Sequence, residues 1–407
     1  MKERKYVRAE VSEKCERSLE AGHPWVFAEE IRSLSGAAEN GELVDVVGQK
    51  GKYLGTGFIN DRSKIRVRIL SRNANDAFDD AFFKRRLRYA WEYRKRVLGG
   101  KPQACRLVFG EADMFPGLTV DRFGAILVAQ VLSYGIEKRK ETIFNALAEV
   151  LEEDGEKIEG LYERNDVSIR KLEGMEENKG FFPLTGKEIP DFTGTYIEEN
   201  GIKYFVDFAE GQKTGFFLDQ RFNRLRAAKL AEGAEVLDCF THTGSFALNA
   251  AKAGAKSVLA ADISAPAIET AKENARLNGL EDKISFEVAD AFELLPRLEA
   301  EKRKFDLVIL DPPAFTKSRR TIESAMRGYR EINCRGLKLT RRGGYFATCS
   351  CSHFATEEMF VKMLKAAALQ AGVQLRQIER AQQSPDHPVL WNVPETDYLK
   401  FFTFQVV

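Results

Sequence analysis

The chain has 407 residues, enough for two or three domains with separate cores. Its formal net charge of +1 excludes a global electrostatic attraction to nucleic acid. Six cysteines in so long a chain argue against a disulfide framework, and no apolar run approaches the ~20 residues of a membrane span. The opening MKERKYVRAE lacks the apolar core of a secretory signal, so a soluble, cytoplasmic protein with reduced thiols is expected. Charge is unevenly spread: the first hundred residues hold 21 Lys and Arg against 15 Asp and Glu.

Residues 1–73 read as short strands broken by glycine turns. Leu43 to Val47 alternates after a turn at Asn40-Gly41, Tyr53 to Asn60 is glycine-punctuated, and Lys64 to Leu70 alternates basic and apolar side chains. This spacing predicts a small β-barrel. Arg66 and Arg68 share one strand face and are candidates for tracking phosphates. The stretches GHPWVF, GELVDVVGQKGKYLGTGFIN and SKIRVRIL resemble a PUA domain, a small RNA-binding barrel found on RNA-modifying enzymes. Within it His23 and Trp25 are expected to be structural.

Asn73 to Asp80 is a polar linker, and Ala81 to Leu98 a helix mixing basic residues with Tyr89, Trp91 and Tyr93. That mixture suits either an RNA-facing helix or an amphipathic one with its aromatics turned inward. Strands are expected at Arg106–Phe109, Ala125–Val131 and Leu161–Arg170, with a helix from Tyr134 to Glu152. Residues 74–195 therefore form a compact α+β middle domain. Gly201 to Asp219 reads as a β-hairpin with Gln212, Lys213 and Thr214 near its tip, where a polar tip could cover a ligand. Asp219 is a candidate N-cap for the following helix.

Residues 196–407 carry the chemistry. EVLDCF is a buried strand, followed by Thr241-His242-Thr243-Gly244 and an Ala-rich helix, the opening of a doubly wound nucleotide fold. One glycine replaces the GxGxxG fingerprint, so an adenosine cofactor without phosphates fits better, pointing to S-adenosylmethionine. Successive strands end at Asp262, Asp290 and Asp311. Asp262 suits ribose hydroxyls, and Asp290 an adenine amine with Phe292 as an apolar wall. The run KFDLVILDPPAF delivers Asp311 to the carboxyl edge of the sheet; Pro312 and Pro313 hold the chain extended beyond it, and Phe315 adds an aromatic face. Further on, Cys349 and Cys351 point to the same side of a strand, and spacing alone does not choose a nucleophile between them. A final strand spans Tyr398 to Val407, with Asp386-His387-Pro388 in the loop before it.

Taken together, the chain resembles the RlmI-type family of class I S-adenosylmethionine-dependent 23S rRNA methyltransferases. The resemblance runs end to end, through GHPWVF, MFPGLTVDRFG, GQKTGFFLDQR, LDPPAF, Ser350-Cys351-Ser352 and PDHP. It implies an α/β fold class. A PUA domain (1–73) and an EEHEE-type middle domain (74–195) precede a Rossmann-like catalytic domain (196–407) with a mostly parallel sheet and an antiparallel last strand. It implies cytosine C5 methylation with Cys351 as nucleophile and Asp311 holding the base; guanine N7 methylation is the alternative, in which Cys351 is structural. It implies cofactor contacts at Phe240, Thr241, Thr243, Gly244, Asp262, Ile263, Asp290, Ala291 and Asp311, with Gln212 and Lys213 nearby. Pro312, Pro313, Phe315, Arg66 and Arg68 would meet RNA, and His387 is the candidate general base. The expected partner is 23S rRNA or a partly assembled large subunit, with no membrane; a homodimer is left open. One departure stands out: another RNA cytosine-C5 family has a second cysteine where this chain has Pro313.

Overall fold

The structure, a computed structural model, describes residues 4–316 and 318–407. The chain packs as two compact units. One runs up to Ile197 and takes in Val206–Leu218 and Pro385–Thr396; the other holds Glu198–Phe205, Asp219–Ser384 and Asp397–Val407.

The first unit opens with β1 (Val7–Val11), α1 (Glu13–Glu20), β2 (Trp25–Phe27), β3 (Ile31–Leu34), β4 (Leu43–Val47), β5 (Tyr53–Ile59) and β6 (Ile65–Ser71). These strands form one sheet in the order β2-β6-β5-β4-β1-β3, antiparallel except between β1 and β4. Flat, its edge strands would lie about 24 Å apart. The three residues Ala28–Glu30 join those edges and span at most about 14 Å between strand ends. The sheet must therefore curl on itself, which agrees with the expected barrel. Ala9, Val11, Val26, Val44, Val46 and Val67 fill its interior.

A second sheet follows α2 (Asp80–Leu98) and uses β7 (Ala104–Phe109), β8 (Leu118–Phe123) and β9 (Ile126–Val131). The chain continues through α3 (Tyr134–Glu137), α4 (Lys140–Glu153), β10 (Gly160–Asn165) and β11 (Asn178–Phe182). Its order is β11-β10-β9-β8-β7, with a parallel β9/β10 pair bridged by α4. Two strands exceed the expectation: β8, hidden in the turn-rich GEADMFPGLTVDRFG, and β11. The strand expected to Arg170 stops at Asn165, and Ser168–Glu173 is a 3-10 turn.

The hairpin is also displaced. β12 (Gly194–Glu199) pairs with β13 (Ile202–Asp207), so the turn is Asn200-Gly201 and not near Gln212 to Thr214. Both turn residues have positive φ, +57° and +72°, the Asn-Gly geometry that matches strand twist.

The second unit continues with α5 (Arg221–Ala228), β14 (Glu235–Cys239), α6 (Ser245–Lys252), β15 (Ser257–Asp262), α7 (Ala265–Leu277), β16 (Ile284–Val288) and α8 (Ala291–Ala300). It ends with β17 (Phe305–Leu310), α9 (Ile322–Leu339), β18 (Thr340–Ser350), α10 (Glu357–Ala371), β19 (Leu375–Ala381) and β20 (Lys400–Val406). Its sheet runs β16-β15-β14-β17-β18-β20-β19. β14 to β18 are parallel; β20 is antiparallel to both β18 and β19, as expected of the last strand. Strand order reverses between β14 and β17, and a ligand crevice opens at the carboxyl ends there. Among the described residues no helix is long and apolar enough to cross a membrane.

Candidate active site

The turn after β14 is held in an unusual shape. Phe240, His242 and Gly244 have φ of +66°, +51° and +85°. Two of these are not glycine, a strain of order 1–3 kcal/mol each that neighbours must hold in place. Two carboxylates do so. Asp238 Oδ2 accepts from Thr241 Oγ1 at 2.5 Å and the Ala247 amide at 3.0 Å. Asp262 Oδ2 accepts the His242 amide at 2.9 Å, and its Oδ1 the Ser264 amide at 2.9 Å. Gly244 is required: a Cβ there would come within 3.1 Å of Ala271 Cβ, besides the positive φ.

The crevice wall fits an adenosine cofactor. Asp238 Oδ1 and Thr243 Oγ1 are buried with no hydrogen-bond partner among the described residues, a shortage that a polar ligand relieves. Each Asp262 oxygen has spent one lone pair on backbone and keeps another for ribose hydroxyls. Asp290 caps α8 through the Phe292 amide at 2.8 Å on Oδ1, and a carboxylate can cap with one oxygen while its other accepts from a ligand. Beside these acids stand Ile263, 69% exposed, and Phe292, 36% exposed, apolar side chains left bare where a flat ring would lie. Burial, aided by repulsion from Asp311 and Asp262, pushes Asp238 up to about 7 against its hydrogen bonds from Thr241 and Ala247. Burial also pulls His242 down to about 4, keeping it neutral.

Across the switch point, Asp311 follows β17 directly. Its Oδ1 accepts from Gln220 Nε2 at 2.9 Å, and Gln220 Oε1 is itself fixed by Asn223 Nδ2 at 2.7 Å. Burial, together with the Asp219 carboxylate, pushes Asp311 up to about 6; Arg224, Gln220 and the Cys349 thiol oppose that rise. Pro312 is buried, Pro313 exposed. Phe315 packs on Tyr329 with centroids 4.5 Å apart and lies 5.9 Å from Phe292, so one aromatic row links both halves of the crevice. The Tyr329 hydroxyl receives Ser350 Oγ at 3.1 Å and meets Ser352 Oγ at 2.9 Å.

The two cysteines separate here. Cys349 is fully buried in β18 and hydrogen-bonds Asp311, and burial raises its thiol well above the usual range. Cys351 is partly exposed just beyond the strand, its Sγ 4.0 Å from the Pro312 carbonyl oxygen. Lys400, buried at the start of β20, donates to the carbonyls of Ser352 and Ala355, both at 2.8 Å.

Other expected site residues sit in the first unit. Gln212 and Lys213 are exposed on the turn after β13, Lys213 with its ammonium 4.8 Å from the Phe217 ring. Arg164 clamps that turn through the Phe208 and Gly211 carbonyls, and Thr214 donates to Asp121 at 2.6 Å. His387, expected as a base, is buried against Phe109 and 3.2 Å from Asp386. Asp386 in turn accepts the Arg106 amide at 2.9 Å. Arg66 and Arg68 are both half-buried, and Arg68 pairs with Glu173 at 2.8 Å and Glu111 at 3.5 Å. Trp25 Nε1 donates to Glu111 and His23 meets Glu395, the structural roles expected of them. Asp219 is no N-cap; it accepts the Tyr398 hydroxyl at 2.6 Å. Asp238, Gln220 and Lys400 were not singled out from sequence. Each is a polar residue beside a strand or helix end, a signal too common to select them.

Comparison with known proteins agrees with this geometry. Residues 10–72 match a PUA-like domain family, and residues 185–402 the S-adenosylmethionine-dependent methyltransferase family. The ribosomal RNA large subunit methyltransferase I of Shewanella amazonensis is 41% identical, covering 97% of this chain and 98% of that protein. The Escherichia coli O9:H4 protein of the same name is 38% identical, covering 98% and 100%. A solved methyltransferase candidate from Streptococcus mutans shares the fold at TM-score 0.80 and 22% identity, covering 98% of this chain and 99% of that one. Another, solved with SAH, does so at TM-score 0.82 and 22% identity, with the same coverage. The chain belongs to the ribosomal RNA large subunit methyltransferase I family of S-adenosylmethionine-dependent methyltransferases.

Proposed function

We propose that this enzyme methylates C5 of a cytosine in 23S rRNA through a covalent Cys351 adduct, working in the cytoplasm on rRNA or a partly assembled large subunit. The relatives' name supports the rRNA substrate. The observation that carries the chemistry is exposure: of six cysteines only Cys351 is not buried, and it stands at the sheet edge beside Pro312. In this reading residues 1–73 grip RNA, 74–195 form the middle domain and 196–407 do the chemistry.

Cytosine C5 is a poor nucleophile. The Cys351 thiolate adds to C6, and the ring electron pair moves to C5. S-adenosylmethionine, when bound, supplies an electrophilic methyl group for C5. A base then takes the C5 proton, the electron pair restores the C5–C6 double bond, and the thiolate leaves. Asp311, titrating near 6, holds N3 and the amine of the base and balances charge on the ring. Gln220 fixes its orientation. Asp262, Asp290, Thr243 and the strained 240–244 turn hold the cofactor. The target base must leave its stack to reach this edge.

The Asp311-Pro312-Pro313-Ala314-Phe315 run, with Phe315 packed against Tyr329, favours guanine N7 as a second reading, because a nitrogen lone pair needs no thiol. Trapping separates the two. RNA transcribed with 5-fluorocytidine cannot lose a proton from C5, so wild-type enzyme should form a denaturation-resistant adduct that Cys351→Ala does not. Absence of any adduct from an enzyme that methylates ordinary transcript overturns the C5 reading.

A further inference from the structure

Lys400 is a buried lysine that the chemistry above leaves unused. Burying an ammonium is costly unless it is paired or hydrogen-bonded, so its placement needs a reason. Lys400 opens β20, directly opposite Ser350 in the antiparallel ladder. Its Nζ reaches past the end of β18 to the carbonyls of Ser352 and Ala355, both at 2.8 Å. The Ser352 carbonyl also accepts the Ala355 amide at 3.2 Å, so one oxygen closes the turn and anchors the lysine. That turn begins at Cys351 and ends where Thr356 caps α10.

We propose that Lys400 is the positioning residue of the Cys351 turn: it pins the turn through two carbonyls and sets its positive charge beside the thiol, favouring the thiolate. The charges facing Lys400 are Asp397, Cys351 and Glu357, and burial lowers its own proton affinity against them. Among the described residues, those facing Cys351 include Cys349 and Tyr329, a thiol and a phenol, and the cation Lys400. A thiolate beside a fixed cation forms at lower pH and is a better nucleophile at neutrality. Tyr329 braces the same segment from α9 through Ser350 and Ser352.

The proposal rests on Cys351 being the nucleophile, and the two ideas fail separately. Because the other five cysteines are buried, iodoacetamide should modify Cys351 selectively in the folded full-length enzyme. The pH dependence of its alkylation, followed by peptide mass spectrometry, reads the thiol without any methyl transfer. Wild type should titrate below the about 8.5 of a free thiol. Lys400→Met and Lys400→Gln should alkylate about tenfold more slowly at pH 7 and lose kcat with KM for S-adenosylmethionine unchanged. Lys400→Arg should recover most of both. An unchanged alkylation profile in a folded Met or Gln variant overturns the proposal. If neither variant folds, a wild-type midpoint at or above that of a free thiol overturns it equally. Methylation surviving in Cys351→Ala would instead remove the nucleophile reading.

Discussion

Cys349 and Cys351, two residues apart, lie in opposite environments: Cys349 is fully buried and bonded to Asp311, while Cys351 is partly exposed 4.0 Å from the Pro312 carbonyl. β18 ends at Ser350, and the alternation that would put both thiols on one face ends with it. The strand terminus thus leaves Cys351 partly exposed and Cys349 buried. Cys351→Ala should melt within about 0.5 kcal/mol of wild type and lose methylation at least about a thousandfold. Cys349→Ser, which puts a hydroxyl into a buried site, should lose about 1–3 kcal/mol in denaturant melts yet keep measurable activity.

Asp238 makes stability depend on pH. Its folded-state value, about 7, lies above the ordinary carboxylate value of 3.8, so the folded protein binds the extra proton between them. Stability therefore falls as pH rises through that window. Asp238→Asn keeps an acceptor for Thr241 and Ala247 and abolishes the titration. Relative to wild type it should gain about 2–3 kcal/mol on going from pH 5 to pH 8, measured by denaturant melts at both.

Asp262 ties the His242 and Ser264 amides together at the cofactor edge. Asp262→Ala should raise the Kd for S-adenosylmethionine roughly ten- to a hundredfold by calorimetry, the loss of one or two charge-assisted hydrogen bonds. An unchanged Kd would remove Asp262 from the site.

The cations of α2 illustrate what sequence does not reveal. Its mixture of bases and aromatics fits an RNA-facing helix, yet Arg94 is fully buried in a bidentate pair with Asp113, and Lys84 and Arg88 pair with acids of α4. The acids lie some sixty residues on for Lys84 and Arg88, where no local pattern points to them. Asp113→Ala leaves a buried unpaired guanidinium and should cost about 3–5 kcal/mol, with RNA affinity of the folded protein unchanged.

The catalytic sheet was far more legible. β14 to β17 are short apolar runs that end in acids or breakers; β14 falls within a residue of EVLDCF, and β17 is the apolar run that ends at Asp311. β18 opens at Thr340 and carries Gly343 and Gly344 inside it, Gly343 at φ +81°, where a Gly-Gly pair by itself reads as a turn. β19, LRQIERA, is an exposed edge strand without an apolar period, so no local pattern marks it as a strand. Phe216, Phe217 and Leu218 look like a second strand, which draws the expected hairpin past the Asn200-Gly201 turn that closes it. At the site, the three strand-end acids could be read from sequence. Gln220, which orients Asp311, and the Asp238–Thr241 pair that shapes the turn come from tertiary approach and turn geometry.

The most direct measurement is the identity of the methylated nucleoside. Unmodified 23S rRNA would be incubated with labelled S-adenosylmethionine and wild-type, Cys351→Ala or Cys349→Ala enzyme, then digested to nucleosides. The account predicts 5-methylcytidine from wild type and Cys349→Ala and none from Cys351→Ala. 7-Methylguanosine from all three would contradict it and leave Cys351 a packing residue.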